Sequence, residues 1–135
     1  MKQLAPTVVL CLIFSVWTMP GCGTRGPFFE KLEPTEQGTA IVYLFVQWNI
    51  AANALCPITA NGDPLAKLVD GEYYPYRVPP GDVIFETDGR GEKERLVLHV
   101  ESGRAYFVQI VRLRSGGKFK QLSEEEAVHL IAPCR

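Results

Sequence analysis

Histidine is scarce in this chain, and neither sign of charge is in excess. Of 135 residues only 2 are histidine, and 14 basic residues stand against 15 acidic ones, which gives a net charge of −1. Such a chain lacks the excess of basic residues that is typical of a nucleic-acid-binding protein, so we expect no nucleic-acid partner. We also expect no metal site, because only His99 and His129 are available to join the cysteines and no closely spaced ligand pair occurs.

The sequence motifs of familiar enzyme classes are missing as well. The chain contains no G-x-S-x-G elbow, no H-E-x-x-H helix and no glycine-rich phosphate loop. Cys56 has no base near it in sequence, and the acidic residues 124–126 are better explained as a helix cap than as catalytic groups. We therefore expect neither catalysis nor a cofactor.

No apolar run of the chain is long enough to cross a bilayer as a helix, which takes about 20 residues. The longest run, residues 6–17 (PTVVLCLIFSVW), follows the positive residue Lys2 and ends before Thr18. Its length matches the apolar core of a secretory signal, which has about 7–15 residues. We therefore predict a signal peptide over residues 1–21 and export from the cytoplasm.

Cys22 follows this signal directly and has a small residue, Gly21, before it. That order is typical of bacterial lipoproteins, although Met19 and Pro20 depart from the usual pattern. Acyl chains on a cysteine hold a protein stably on a membrane, since each buried CH₂ group contributes about 0.8 kcal/mol. We predict lipidation of Cys22 and, because Gly23 follows it rather than aspartate, a place on the periplasmic face of the outer membrane. The alternative is ordinary cleavage nearby, which leaves a soluble periplasmic or secreted domain.

Two cysteines remain after the signal and the lipidation site. Cys11 lies inside the signal, whereas Cys56 and Cys134 would both reach an oxidising compartment, where disulfides persist. A bond between them would close a long loop, which contributes about 4 kcal/mol in the chain-entropy model, and would hold the C-terminus on the domain. We therefore predict a Cys56–Cys134 disulfide, with two buried thiols or a metal site as the alternatives.

The exported chain divides into a short leading segment and one domain. Residues 22–37 are rich in glycine, proline and charge without a sustained period, which is typical of a tether between anchor and domain. The alternative is that Phe28 and Phe29 dock on the domain. Residues 38–135 have the length of one small domain.

Short β-type segments separated by turns fill most of this domain. Residues 39–46 are apolar on both faces, which is typical of a central buried strand. Asn61-Gly62 predicts a tight hairpin, and Pro75 restricts its segment to a sheet edge or a bulge. We predict strands over residues 39–46, 58–60, 65–68, 73–78, 83–87, 96–101, 105–113 and 118–122.

One helix is predicted at the C-terminal end. Ser123 and Glu126 form a capping box, the acidic first turn favours the positive end of the helix dipole, and Pro133 ends the helix. Many short strands with one terminal helix predict a mainly β protein, a small antiparallel β-sandwich with one short C-terminal helix.

The turn motifs of the domain occur in a recognisable order. They are Asn61-Gly62-Asp63, Gly71-Glu72-Tyr73-Tyr74, Val78-Pro79-Pro80-Gly81 and Gly103-x-x-Tyr106-Phe107. Over residues 38–130 this order resembles bacterial lipoproteins that carry domain of unknown function 2846, which are similar in style to PEGA domains. The resemblance implies a small β-sandwich and an envelope location. It implies no catalytic residues.

Aromatic residues near the loops form the candidate binding surface, which comprises Trp48, Tyr73, Tyr74 and Tyr76. Amphipathic aromatic side chains are common anchors at interfaces. If residues 73–77 form an exposed edge strand, a partner would be able to pair with its backbone. The alternative is that these rings pack the rim of the sandwich. We expect either a module that binds an envelope protein, a glycan or peptidoglycan, or a structural surface protein without a small ligand.

Overall fold

The computed structural model describes residues 28–31, 38–47, 55–88, 91–113 and 116–135. These residues form two sheets and one C-terminal helix, so the predicted fold class is confirmed. In chain order the elements are β1 (Ala40–Val46), β2 (Cys56–Ala60), β3 (Asp63–Leu68), β4 (Tyr73–Val78), β5 (Gly81–Asp88), β6 (Lys93–Val100), β7 (Ala105–Leu113), β8 (Gly116–Leu122) and α1 (Glu124–Ile131).

The strands pair into two four-stranded sheets. Sheet A has the order β4-β1-β7-β8, and sheet B has the order β3-β2-β5-β6. Neighbouring strands run antiparallel, with the exception of β1 and β7, which are parallel. This one parallel pair was not expected from the sequence. Parallel neighbours need a long crossover connection, and here the strands β2 to β6 supply it.

The central strand β1 is buried on both faces, as its sequence predicts. One set of its side chains, which includes Val42 and Leu44, faces sheet B and packs with residues such as Phe85 of β5. The alternate set, which includes Tyr43, faces the other way and is covered by α1. The molecule therefore has three layers, which are sheet B, sheet A and the helix with the segment beside it.

The two ends of the sandwich carry different residues. β1 ends at Val46 beside Ile110 of the parallel strand β7, so Gln47 and the last residues of β7 lie together, and we call this the Gln47 end. The opposite Asn61 end carries the hairpin between β2 and β3. The Ser102-Gly103 turn before β7 also lies there, because the Gly103 N–H donates to the Thr39 carbonyl ahead of β1.

The turn residues have the backbone angles that the sequence predicts. Asn61 and Gly62 have φ values of 50° and 85°, as a two-residue hairpin turn with matching twist requires. Gly81, which follows two prolines, has a φ of 135°, a conformation that side-chain-bearing residues rarely adopt.

The capping box of α1 is present. The Ser123 hydroxyl accepts a hydrogen bond from the Glu126 N–H at 3.3 Å, and the Glu126 carboxylate accepts one from the Ser123 N–H at 3.1 Å. The hydrogen bonds from the Ser123 backbone and side chain lower the pKa of Glu126. The helix start predicted from the sequence is thereby confirmed.

The predicted disulfide is not formed in the structure, where Cys56 and Cys134 are both free, buried thiols. The reason is their placement, because Cys56 lies in the core between the sheets, whereas Cys134 lies in the separate cluster under α1. Hydrogen bonds hold the C-terminus instead. The Arg135 N–H donates to the Gly71 carbonyl at 2.8 Å, and the Tyr73 N–H donates to the Arg135 carbonyl at 3.3 Å.

Part of the predicted tether docks on the domain. The Phe29 N–H donates to the Cys134 carbonyl at 2.9 Å. The Phe29 ring contacts Tyr43 and Tyr73 edge-on, with centroids 5.1 and 5.2 Å apart. Of the two alternatives for this segment, docking therefore holds for residues 28–31. The rest of the tether, the signal and Cys22 lie outside the described residues.

Candidate functional site

The tyrosines of the predicted binding surface lie on β4, which is an edge strand of sheet A. The structure does not bring them together on one face. Tyr73 packs in the cluster under α1, whereas Tyr74 and Tyr76 pack against the core between the sheets. Tyr76 meets Phe85 edge-on with ring centroids 6.0 Å apart. All three rings are half-buried, so most of their surface serves packing, and Trp48 lies outside the described residues.

The backbone edge of β4 offers a partner strand few donors. The Tyr73 N–H points away from β1, because it donates to the Arg135 carbonyl. Backbone N–H groups two residues apart point to the same side of a strand. The next position whose N–H would point away from β1 is therefore Pro75, which has no N–H. A proline at that position is a known means of protecting a sheet edge from pairing. The prediction of a strand-pairing site therefore receives no support from the geometry of this edge.

A different set of polar side chains lies together at the Gln47 end. Arg112, near the end of β7, forms an ion pair with Asp70 at 3.2 Å, and the side chains are only 15% and 5% exposed. One carboxylate oxygen of Asp70, Oδ2, is buried and has no hydrogen-bond partner among the described residues. Buried polar atoms are nearly always hydrogen-bonded in native proteins, so an unpaired carboxylate oxygen indicates a place for a donor.

Two glutamines line the same region. The Gln109 amide on β7 donates to the Gln47 side-chain oxygen at 3.0 Å. Together with the ion pair they border a cavity of about 250 Å³. We call these four residues the polar cluster. The cavity is lined by Val46, Gln47, Asp70, Gln109, Ile110, Val111 and Arg112.

A larger cavity of about 440 Å³ adjoins the polar cluster through Gln47. The Arg135 guanidinium lies over the Phe28 ring, with its central carbon 3.9 Å from the ring centroid, which is the geometry of a cation–π contact. His129 and Leu130 of α1 also line this cavity. The cavity therefore combines apolar walls with two side chains that can carry positive charge.

The thiols do not form a catalytic centre. Burial raises the pKa of Cys56, with Arg112 opposing that shift, and burial raises the pKa of Cys134 to about 11. Both therefore lack thiolate character near neutral pH. His99 is largely exposed and lies 2.7 Å from Asp82 on the outer face of sheet B. No group of three or more potential metal ligands occurs in the described ranges.

The comparison with known proteins adds no assignment, since no family model, curated protein or solved structure matches this chain. The resemblance to lipoproteins with domain of unknown function 2846 therefore stays a prediction. Among the described residues, no helix is long and apolar enough to span a membrane.

The polar cluster was not predicted as a site from the sequence. Asp70 and Arg112 are far apart in the chain and meet only through the fold. One local signal was available, because Gln109 interrupts the apolar segment AYFVQIVRL of β7. A polar residue at the centre of a buried strand needs a partner, and that need indicates a polar neighbour.

Proposed function

We propose that this protein is a bacterial envelope lipoprotein without catalytic activity, anchored through Cys22, whose β-sandwich binds another envelope component at the polar cluster. The observation that carries the binding role is the unpaired Oδ2 of Asp70 beside a cavity. An anchored binding module also agrees with the signal-like N-terminus, which ends at a cysteine after a small residue.

The chemistry of the cluster indicates a ligand rich in hydrogen-bond donors. A buried carboxylate oxygen without a donor costs free energy, commonly about 1–3 kcal/mol, and a ligand hydroxyl or amide N–H would remove that cost. The Gln47 and Gln109 amides each carry donor and acceptor atoms for further hydrogen bonds. An envelope glycan supplies hydroxyl and acetamido groups of this kind, and a peptide backbone supplies amide groups.

The anchor is tested by the intact mass of the native protein extracted from a membrane fraction without reducing agent. We expect a chain that begins at Cys22, carries acyl groups and retains the hydrogens of two free thiols. A chain without acyl groups that begins elsewhere would instead describe a soluble secreted domain and would contradict the anchor.

The ligand site is tested by nuclear magnetic resonance on the lipoprotein in detergent micelles, titrated with muropeptides released from peptidoglycan. The side-chain amide signals of Gln47 and Gln109 report on the polar cluster, and that of Asn61 is the internal control at the opposite end. We expect saturable shifts at the two glutamines only. Shifts at Asn61 of equal size, or none at millimolar ligand, would reject a peptidoglycan-derived ligand.

A further inference from the structure

We infer that the Gln47 end of the sandwich is the surface that lies against the membrane. This inference rests on the proposed lipid anchor at Cys22. It places the polar cluster beside the bilayer, so the ligand of that cluster has to be a small molecule, such as a released muropeptide, and not intact peptidoglycan. It is carried by where the chain from Cys22 meets the domain, by how far that chain reaches, and by the side chains exposed at this end.

The docked segment determines where the anchor arrives. Phe28 lines the same cavity as Gln47 and Gly71, so it lies at the Gln47 end. From there the segment passes Cys134, which accepts the Phe29 N–H, and reaches Lys31, which forms an ion pair with Glu124 at the start of α1. The segment thus enters at the Gln47 end and runs along the helix toward the Asn61 end.

The reach of the anchor is short relative to the sandwich. The six residue steps from Cys22 to Phe28 span at most about 22 Å when fully extended. The eight residue steps of β7 span about 27 Å, which is a measure of the distance between the two ends. While the segment stays docked, the Asn61 end cannot rest on the bilayer, because Phe28 would then lie farther from the membrane than the anchor reaches.

Three of the five exposed large apolar side chains among the described residues lie at the same end. Phe28, Leu55 and Leu113 are 55%, 59% and 54% exposed, and Leu55 and Leu113 line one cavity there, whereas Val97 of β6 (58% exposed) and Val128 of α1 lie elsewhere. Exposed side chains of this kind at one end of a lipid-anchored domain are suited to the head-group region, where their burial adds to the anchor. Because acidic Asp88 lies at this end too, we base the contact on apolar burial rather than on charge.

A side-on arrangement, with α1 against the membrane, is the main competitor. Val128 on the outer face of α1 is 40% exposed. However, the first turn of the same helix carries Glu124, Glu125 and Glu126. Lys31 is paired with Glu124, and the other two carboxylates are repelled by anionic head groups. The Gln47 end is therefore favoured over the helix face.

The test places a fluorescent probe at each surface of the acylated protein in liposomes. Leu113→Cys marks the Gln47 end, Ser102→Cys marks the Asn61 end and Glu125→Cys marks the helix face. Cys22 is blocked by its thioether, and the native thiols Cys56 and Cys134 are buried, so an environment-sensitive maleimide labels the introduced residue. The liposomes contain phosphatidylethanolamine, phosphatidylglycerol and a lipid with a nitroxide near the head group.

We expect the probe at residue 113 to shift its emission to the blue and to be quenched several-fold more strongly than the probe at residue 102. Leu55→Cys is a second marker of the same end and should behave alike. Adding Phe29→Ala, which releases the docked segment, should reduce the quenching at residue 113. The salt dependence should be weak, because apolar contacts dominate.

Three results would overturn the inference. They are equal quenching at residues 102 and 113, strongest quenching at residue 125, and no quenching at any position. The intact mass of the same sample separates these cases from failure of the anchor itself. If Cys22 carries no acyl groups, both the proposed function and this inference are rejected, whereas an acylated sample with the wrong quenching pattern rejects the inference alone.

Discussion

Replacing Phe29 with alanine tests whether the segment before the sandwich is part of the folded domain. The Phe29 ring lies edge-on to Tyr43 and Tyr73 at centroid distances of 5.1 and 5.2 Å, and it lies 6.5 Å from Phe107. Its N–H is also bonded to the Cys134 carbonyl. The Phe29→Ala variant keeps this backbone hydrogen bond available and removes the ring contacts.

The expected loss follows from burial and ring geometry. A fully buried phenylalanine costs about 3–5 kcal/mol when it is replaced by alanine. Phe29 is only half-buried, so we expect roughly half of that free-energy cost. This value already includes the edge-on ring contacts. We therefore expect the free energy of unfolding to fall by about 2 kcal/mol.

The neighbouring residue provides a matched control. Phe28 is 55% exposed and contacts chiefly the Arg135 guanidinium, so Phe28→Ala should cost about 0.5 kcal/mol or less. Urea unfolding followed by near-ultraviolet circular dichroism measures both changes. Equal losses for the two variants, or no loss for Phe29→Ala, would refute the docking of this segment.

Three further predictions concern the ion pair, the thiols and the helix cap. Arg112→Met leaves the buried Asp70 charge without its partner and should cost about 3 kcal/mol, whereas the double variant with Asp70→Asn should lose less than the sum of the single changes in a double-mutant cycle. Because burial raises the pKa of Cys134 to about 11, the two buried thiols should react with Ellman's reagent at pH 8 only after unfolding, and an unreactive unfolded chain would indicate a disulfide. The pKa of Glu126 is lowered by Ser123 in the folded state, so its contribution to stability is present above the unfolded pKa and is lost as the pH falls through the lower, folded pKa. The stability difference between the native protein and Glu126→Gln should therefore shrink as the pH falls below the ordinary glutamate pKa of about 4.3, and a constant difference in urea unfolding across pH would contradict this explanation.

The sequence predicts those elements whose determinants are local. The bounds of β4 and β7 agree with the expectation, because turn residues border both segments and strand-forming residues fill them. The Asn61-Gly62 hairpin and the Ser123 cap are equally local, since each depends on residues within one turn of chain. These features need no knowledge of the tertiary fold.

The features that sequence reasoning missed depend on contacts between distant segments. The parallel pairing of β1 with β7 has no local signal, because four strands of sheet B lie between them in the chain. That pairing brings Arg112 to the Gln47 end, where Asp70 lies. The polar cluster is therefore a product of topology, and the periodicity of either strand alone does not reveal it.

The attachment of the C-terminus also depends on contacts between distant segments, which the sequence alone does not reveal. Two cysteines in an exported chain suggested a covalent attachment, but hydrogen bonds through Cys134 and Arg135 hold the C-terminus in the structure. One of these bonds joins the C-terminus to Phe29, so the docked segment and the C-terminus stabilise each other's position. Unfolding of either segment would lengthen the stretch of chain between Cys22 and its first contact with the sandwich. In the proposed anchored arrangement, the orientation of the domain at the membrane should therefore depend on the stability of this small contact, which Phe29→Ala weakens without altering Cys22.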